Sequence, residues 1–179
     1  MTAAELAAEF DPRQFRDVMG QFATGVAVLT VRDGDLVHAS TVNSLTSVSL
    51  RPALLLVCLA GDGLAAKSVR SAGRFALTIL GADQLRIARR LADRGRPRGR
   101  DQLAGIGHTA GRVSGAPLLD GGIAFAECTV AGILPAGDHD VVLAQVEEFA
   151  TGNGRAPLTF HGGTYGRFER LPEPGCAPE

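Results

Sequence analysis

The sequence predicts a mostly β fold, an antiparallel barrel with helices at its periphery. Three observations carry this expectation. Segments rich in β-branched residues outnumber segments with helical spacing. Several meet at short Gly/Asp turns, DGD at 33–35 and GDHD at 137–140, which are hairpin signals. Strands separated by single crossover helices, the arrangement of a doubly wound parallel sheet, do not dominate.

Asp11-Pro12 supplies an N-cap and a proline at the first helical position. Phe15, Val18, Met19 and Phe22 follow at helical spacing, which predicts an amphipathic helix over 12–23, ended by Gly25. VAVLTV at 26–31 and LVHAST from 36 predict a hairpin over 26–41. TVNSLTSVSL at 41–50 fits neither period: its apolar residues step by three and then two, and hydroxyls or an amide fill the rest. Pro52 breaks the chain, and LLLVCLA at 54–60 is apolar on both faces, a buried central strand. A short helix at 64–73 closes on glycine, and RFALTIL at 74–80 is a strand. The next helix, 82–93, turns Leu85, Ala88 and either Leu91 or Ala92 inward. RGRPRGR at 94–100 reads as a flexible basic loop. Two long strands, 122–136 and 140–151, precede a last strand, PLTFH at 157–161.

A chain of 179 residues suggests one domain. The expected partition is an N-terminal extension at 1–11, the domain at 12–168 and a disordered tail at 169–179, rich in Pro, Glu and Gly. A formal net charge of -1 supplies no global field toward nucleic acid or an anionic membrane. The longest apolar run, 53–60, is too short to span a bilayer. MTAAELAAEFDP lacks the basic start of a secretory signal. Cys58, Cys128 and Cys176 are odd in number and far apart, which argues against disulfides and for a cytoplasmic, reduced protein. One tyrosine and no tryptophan leave few platforms for stacking bases.

His38, His108, His139 and His161 form no metal-ligand spacing, and there is no Gly-x-Ser-x-Gly elbow. The glycines at 162, 163 and 166 spell no dinucleotide fingerprint. Three stretches admit two readings each. The uncharged 41–50 segment is either a hydroxyl-rich strand edge or a surface for a planar heterocycle and a phosphate. The arginines of 94–100 form either a solvated loop or a lid that meets phosphate. Asp138-His139 is either an exposed turn or a ligand contact at the barrel mouth.

Read in order, FRDVMGQFATGVAVLT, TVNSLTSVSL, RPALLLVCLA, SAGRFALTIL, GAPLLDGGIAFAECTV, AGDHDVVLAQVEEF and FHGGTYGRF resemble the short-chain flavin reductases. The resemblance covers about 12–168. It implies a six-stranded split barrel that forms a homodimer, binds FMN or FAD, and takes hydride from NADH or NADPH. It further implies a partner flavin-dependent monooxygenase that receives the reduced flavin. A flavoprotein that keeps its flavin for its own organic substrate, or a non-catalytic flavin binder, is the alternative. On this resemblance Thr41, Val42, Asn43, Ser44 and Leu45 lie along the isoalloxazine ring, and Ser47 and Ser49 face the ribityl chain or phosphate. Cys58, Leu59 and Ala60 form the opposite wall, and Arg90 meets the phosphate end. His139 is placed where the nicotinamide enters, as the one catalytic candidate, with His161, Gly163 and Tyr165 near the same site. Where relatives often carry Ser-x-Ser or Ser-x-Thr after this wall, the chain has Gly63, Leu64, Ala65 and Ala66. The helix-start amides, with Ala65 and Lys67, are then left to hold the phosphate. Each lost neutral hydrogen bond costs roughly 0.5–1.5 kcal/mol, which loosens the flavin and leaves FMN or FAD open.

Overall fold

A computed structural model describes residues 10–152 and 156–171. The N-terminal extension up to residue 9, Cys176 and most of the expected tail lie outside the described residues.

Helix α1, Pro12–Gly20, starts as its sequence dictates: the Asp11 carboxylate accepts the Arg13 N–H at 2.8 Å. It ends three residues earlier than the apolar spacing predicts. Its apolar face is also uncovered, with Phe15, Val18, Met19 and Phe22 between 53 and 74% exposed. After the two-residue β1 (Thr24–Gly25), β2 (Ala27–Asp33) and β3 (Leu36–Val42) form the expected hairpin. Gly34 opens its two-residue turn at φ 58°, a conformation that favours glycine.

The stretch 41–50 resolves into the end of β3, three irregular residues, and β4 (Thr46–Leu50). A cis Arg51–Pro52 peptide leads into β5 (Ala53–Ala60). Helix α2 (Leu64–Ala72) is closed by Gly73 at φ 64°, whose N–H reaches the Val69 carbonyl. Next come β6 (Arg74–Ile79), a 3₁₀ turn at Ala82–Gln84, and α3 (Leu85–Ala92). On α3 Leu91, not Ala92, points inward with Ala88.

A second 3₁₀ turn, Gly99–Leu103, and a small ladder of β7 (His108–Ala110) and β8 (Pro117–Leu119) precede the long hairpin. That hairpin is β9 (Ala124–Ala136) and β10 (His139–Thr151). The expected last strand is β11 (Leu158–His161), but β12 (Thr164–Arg167) follows it. Gly162 and Gly163, both at positive φ, make the two-residue turn between them.

The main sheet is antiparallel throughout, ordered β3-β2-β6-β9-β10-β5-β4, with a second sheet of β1-β11-β12. The six strands expected of the barrel are the six long ones; β4, of five residues, is an added edge. Strand β2 is buried on both faces. Leu29 and Val31 pack with Phe75, Val57 and Val69, the last from α2. Val26 and Val28 pack with Leu80, Ala88 and Leu91, the last two from α3. Full burial of each such side chain contributes about 1.5–3 kcal/mol, which sets the two helices against the barrel.

Two polar clamps hold the connections. Buried Glu127, on β9, accepts the N–H groups of Arg112, Val113 and Ser114 at 3.0, 3.1 and 2.8 Å, and the Ser114 hydroxyl at 2.6 Å. Burial pushes its carboxyl pKa up, but these donors outweigh burial and hold it below the ordinary value. A Cβ at Gly111 would lie 2.0 Å from Glu127 Oε1, so the loop needs glycine there. Buried Asp140, on β10, pairs with Arg70 of α2, whose other nitrogen donates to the Gly61 carbonyl at 3.1 Å.

Candidate functional site

The end of β3, the end of β5, the start of α2 and the loop after α3 enclose a cavity of about 520 Å³. Part of its lining is uncharged: Thr41–Ser44 and the neighbouring Cys58–Ala60. The turn after β5 and the start of α2, Asp62 to Ala65, form its end. Another part carries Arg94, Arg96 and Arg98. The Arg70–Asp140 pair fixes this end from behind, because Gly61 also donates its N–H to the Asp138 carbonyl at 2.9 Å. The turn that shapes the cavity is thereby tied to both α2 and the β9–β10 hairpin.

Three hydroxyls of 41–50 bond the protein itself. Thr41 donates to the Ala88 carbonyl of α3 at 2.7 Å. The Ser44 hydroxyl bridges Cys58, donating to its carbonyl at 2.8 Å and accepting its N–H at 3.1 Å. These bonds stitch the irregular span to its neighbours, and both residues, with Val42 and Asn43, line the cavity. Ser49 accepts the Arg51 N–H at 3.2 Å, and it, Ser47 and Leu45 do not line the cavity. Leu45 packs against the core, and the two serines ride on edge strand β4.

Arg90 does not line the cavity; its guanidinium donates to the carbonyls of Ala104 and Asp101 at 2.7 and 3.1 Å. Lys67 is exposed on α2 outside the cavity lining. Ala65, at the helix start, does line it. Gly63 caps α2 without a side-chain bond, so the amides of its first turn have no side-chain acceptor.

The four residues expected around the nicotinamide stand on two hairpins. His139 pairs in register with Ala60, which lines the cavity, but does not itself line either cavity; its Nδ1 lies 2.7 Å from Asp138 Oδ1. That hydrogen bond and the ring's charge hold the exposed Asp138 carboxyl below its ordinary pKa. Tyr165 lines a side cavity of about 160 Å³ that shares Thr41, Val42 and Asn43 with the main one. It packs edge-on against Phe160, with ring centroids 5.1 Å apart. His161 and Gly163 belong to the β11–β12 turn, which bonds the end of α1 through Gly162 N–H to the Gly20 carbonyl. Neither lines the two cavities.

Sequence reasoning left His38, Ser40, Asp62 and Gln102 out of the site, yet all four line the cavity. The signal for two of them was present. His38 and Ser40 precede Val42 at steps of two on β3, and a strand turns such residues to one face.

The family profile described as "Flavin reductase like domain" matches residues 19–169. The chain belongs to this family. Among curated flavin reductases it is similar to the NADH-dependent FAD reductase of Streptomyces globisporus, 39% identical over 165 residues, which cover 92% of this chain and 90% of that one. It is also 39% identical over 153 residues to the NADH-dependent FMN reductase AsuE2 of Streptomyces nodosus subsp. asukaensis, covering 85% of this chain and 82% of that one. Among solved structures it resembles BorF, the flavin reductase component of a bacterial two-component tryptophan halogenase. That match has a TM-score of 0.85 at 38% identity and covers 90% of this chain and 100% of BorF. Its architecture is the flavin reductase split barrel with peripheral helices.

Proposed function

We propose that the chain is an NAD(P)H:flavin oxidoreductase that reduces FMN or FAD and passes the reduced flavin to a partner flavin-dependent monooxygenase. The observation that carries this reading is the mixed lining of the cavity. Its uncharged part, with main-chain groups, suits the donors and acceptors of a flavin ring, and its basic part suits phosphate. Val42, Asn43 and Ser44, with Cys58, Leu59 and Ala60, would hold the flavin ring, and the start of α2 its phosphate. When bound, the flavin accepts hydride from the nicotinamide, chemistry the cofactors carry themselves. The protein's part is to hold two rings in register and to exclude water. On this reading His139, paired in register with cavity-lining Ala60, would orient the incoming nicotinamide rather than act as an obligatory acid or base.

The reading includes a cytoplasmic homodimer. The uncovered face of α1, with exposed Val48 and Leu50 on β4, supports a second copy. The free thiols Cys58 and Cys128 suit a reducing compartment.

The test is oxidation of NADH and of NADPH, followed at the nicotinamide absorbance band, with FMN, FAD or no added flavin. Rapid oxidation that depends on added flavin is the expected result. Flavin binding without oxidation by any pair would overturn it in favour of a binder. Flavin that stays with the protein through gel filtration would favour an enzyme with its own substrate.

A further inference from the structure

The basic loop after α3 is not a free solvated segment. Arg96 donates to the Asp93 carbonyl at 2.7 Å and to the Ala39 carbonyl on β3 at 2.8 Å. Gln102 accepts the Ala39 N–H at 2.9 Å and donates to the carbonyls of Val37 and Gly99 at 2.8 and 2.6 Å. The loop is therefore buckled to the edge of β3 at two points, and the backbone between them is set.

This anchoring sorts the four arginines. Arg96 is the buckle. Arg100 turns away, 3.7 Å from Asp35, beside a different cavity. Arg94 and Arg98 line the main cavity, and neither has a hydrogen-bond or ion-pair partner among the described residues. Asp62 is the one carboxylate in that lining. Two unpaired guanidiniums on a fixed wall are a site for phosphate oxygens, which arginine grips with a two-pronged fork.

On the flavin reading above, FMN brings one phosphate, which the start of α2 faces, and that end has lost the hydroxyls expected there. A second phosphate exists only in a dinucleotide. Arg94 and Arg98 line the same cavity as the residues proposed to hold the flavin, whereas His139 lines neither cavity and Tyr165 lines the side one. We propose that Arg94 and Arg98 hold the second phosphate of FAD, the one FMN lacks, and that they make this chain select FAD over FMN. The proposal rests on the flavin reading and narrows it.

The test compares wild type with the double variant Arg94→Gln/Arg98→Gln. Kd for FAD and FMN is read from flavin fluorescence quenching, and KM for NADH from turnover. Both side chains are exposed and unpaired, so the fold is not at risk, and a melting curve checks it. The expected result is a wild type that binds FAD about tenfold or more tighter than FMN. The variant then loses about tenfold or more for FAD and stays within about twofold for FMN, as expected when charge-assisted bonds to one phosphate are removed. Arg94→Lys/Arg98→Lys should recover part of the FAD affinity. Equal losses for both flavins would overturn the proposal, since the arginines would then serve the shared phosphate. Unchanged FAD affinity, or a loss confined to the KM for NADH, would overturn it as well while leaving the flavin reading intact. A wild type that binds neither flavin would instead remove the flavin reading itself.

Discussion

His38 stands on β3 in the cavity lining, where burial first and the Arg96 charge second push its pKa down to about 4. The ring is neutral at neutral pH. As pH falls, the unfolded chain takes up its proton at the ordinary 6.5 while the folded chain resists until about 4. Stability is therefore lost across that window, by about 1–2 kcal/mol once the ring's solvent contact is allowed for. His38→Asn should flatten urea midpoints measured between pH 6.5 and 4; an unaltered slope would assign the acid sensitivity to other groups. Glu127 works on the same side. Its folded pKa is depressed, so its contribution is complete above the unfolded carboxylate value and fades as pH falls through the folded one. Glu127→Gln exchanges an acceptor for a donor opposite buried amides and should cost about 2–4 kcal/mol at pH 7 in urea unfolding. On the proposed function, His139→Ala should raise the KM for the nicotinamide several-fold while flavin Kd moves less. An unchanged KM would take His139 out of the site.

At the scale of elements, the brace between the 3₁₀ turn at 99–103 and β3 makes its own prediction. Gln102→Ala leaves the buried Ala39 N–H without its acceptor and two carbonyls without their donor. A loss of about 2–3 kcal/mol in thermal unfolding follows, with faster exchange of the Ala39 amide. No local pattern announces such a brace, because a glutamine reaching across 63 residues leaves no periodic trace. Elements written into local chemistry were legible: the Asp11 cap, the Gly73 cap and the Gly34 turn; β5 is a strand as expected, but only its Leu55, Val57 and Leu59 face is buried, and it lies beside edge strand β4. Short strands were not. β7, β8 and β12 have three or four residues each, too few for a period to show. The Gly162-Gly163 pair that turns β11 into β12 was nonetheless a readable hairpin signal. In the site, the uncharged lining at 41–44 was legible in the composition of 41–50, whereas 58–60 came from the family resemblance and not from composition. The commitments of Thr41, Ser44 and Arg90 were not, since each is made to a carbonyl distant in sequence.

Over the whole molecule, the antiparallel order was readable from the hairpins and from the scarcity of crossover helices. Helix α1 illustrates the limit of that reading: the 3.6-residue spacing gives the helix and its apolar face but not what covers the face. If a second copy does, sedimentation should show a dimer at micromolar concentration, and Phe15→Ser/Met19→Ser should shift it toward monomer with the main sheet intact. A dimer untouched by that variant would move the contact to another face. The two margins of the seven-stranded sheet also differ. Along β3 the outward main-chain groups at Val37 and Ala39 are occupied by Gln102 and Arg96, whereas β4 is an outer strand bearing exposed Val48 and Leu50. A strand from another molecule could add along β4 and not beside Val37 and Ala39. Growth through the sheet is thereby one-ended. Two molecules that join edge to edge through β4 use up each other's open margin of this sheet, so joining along it stops at a pair.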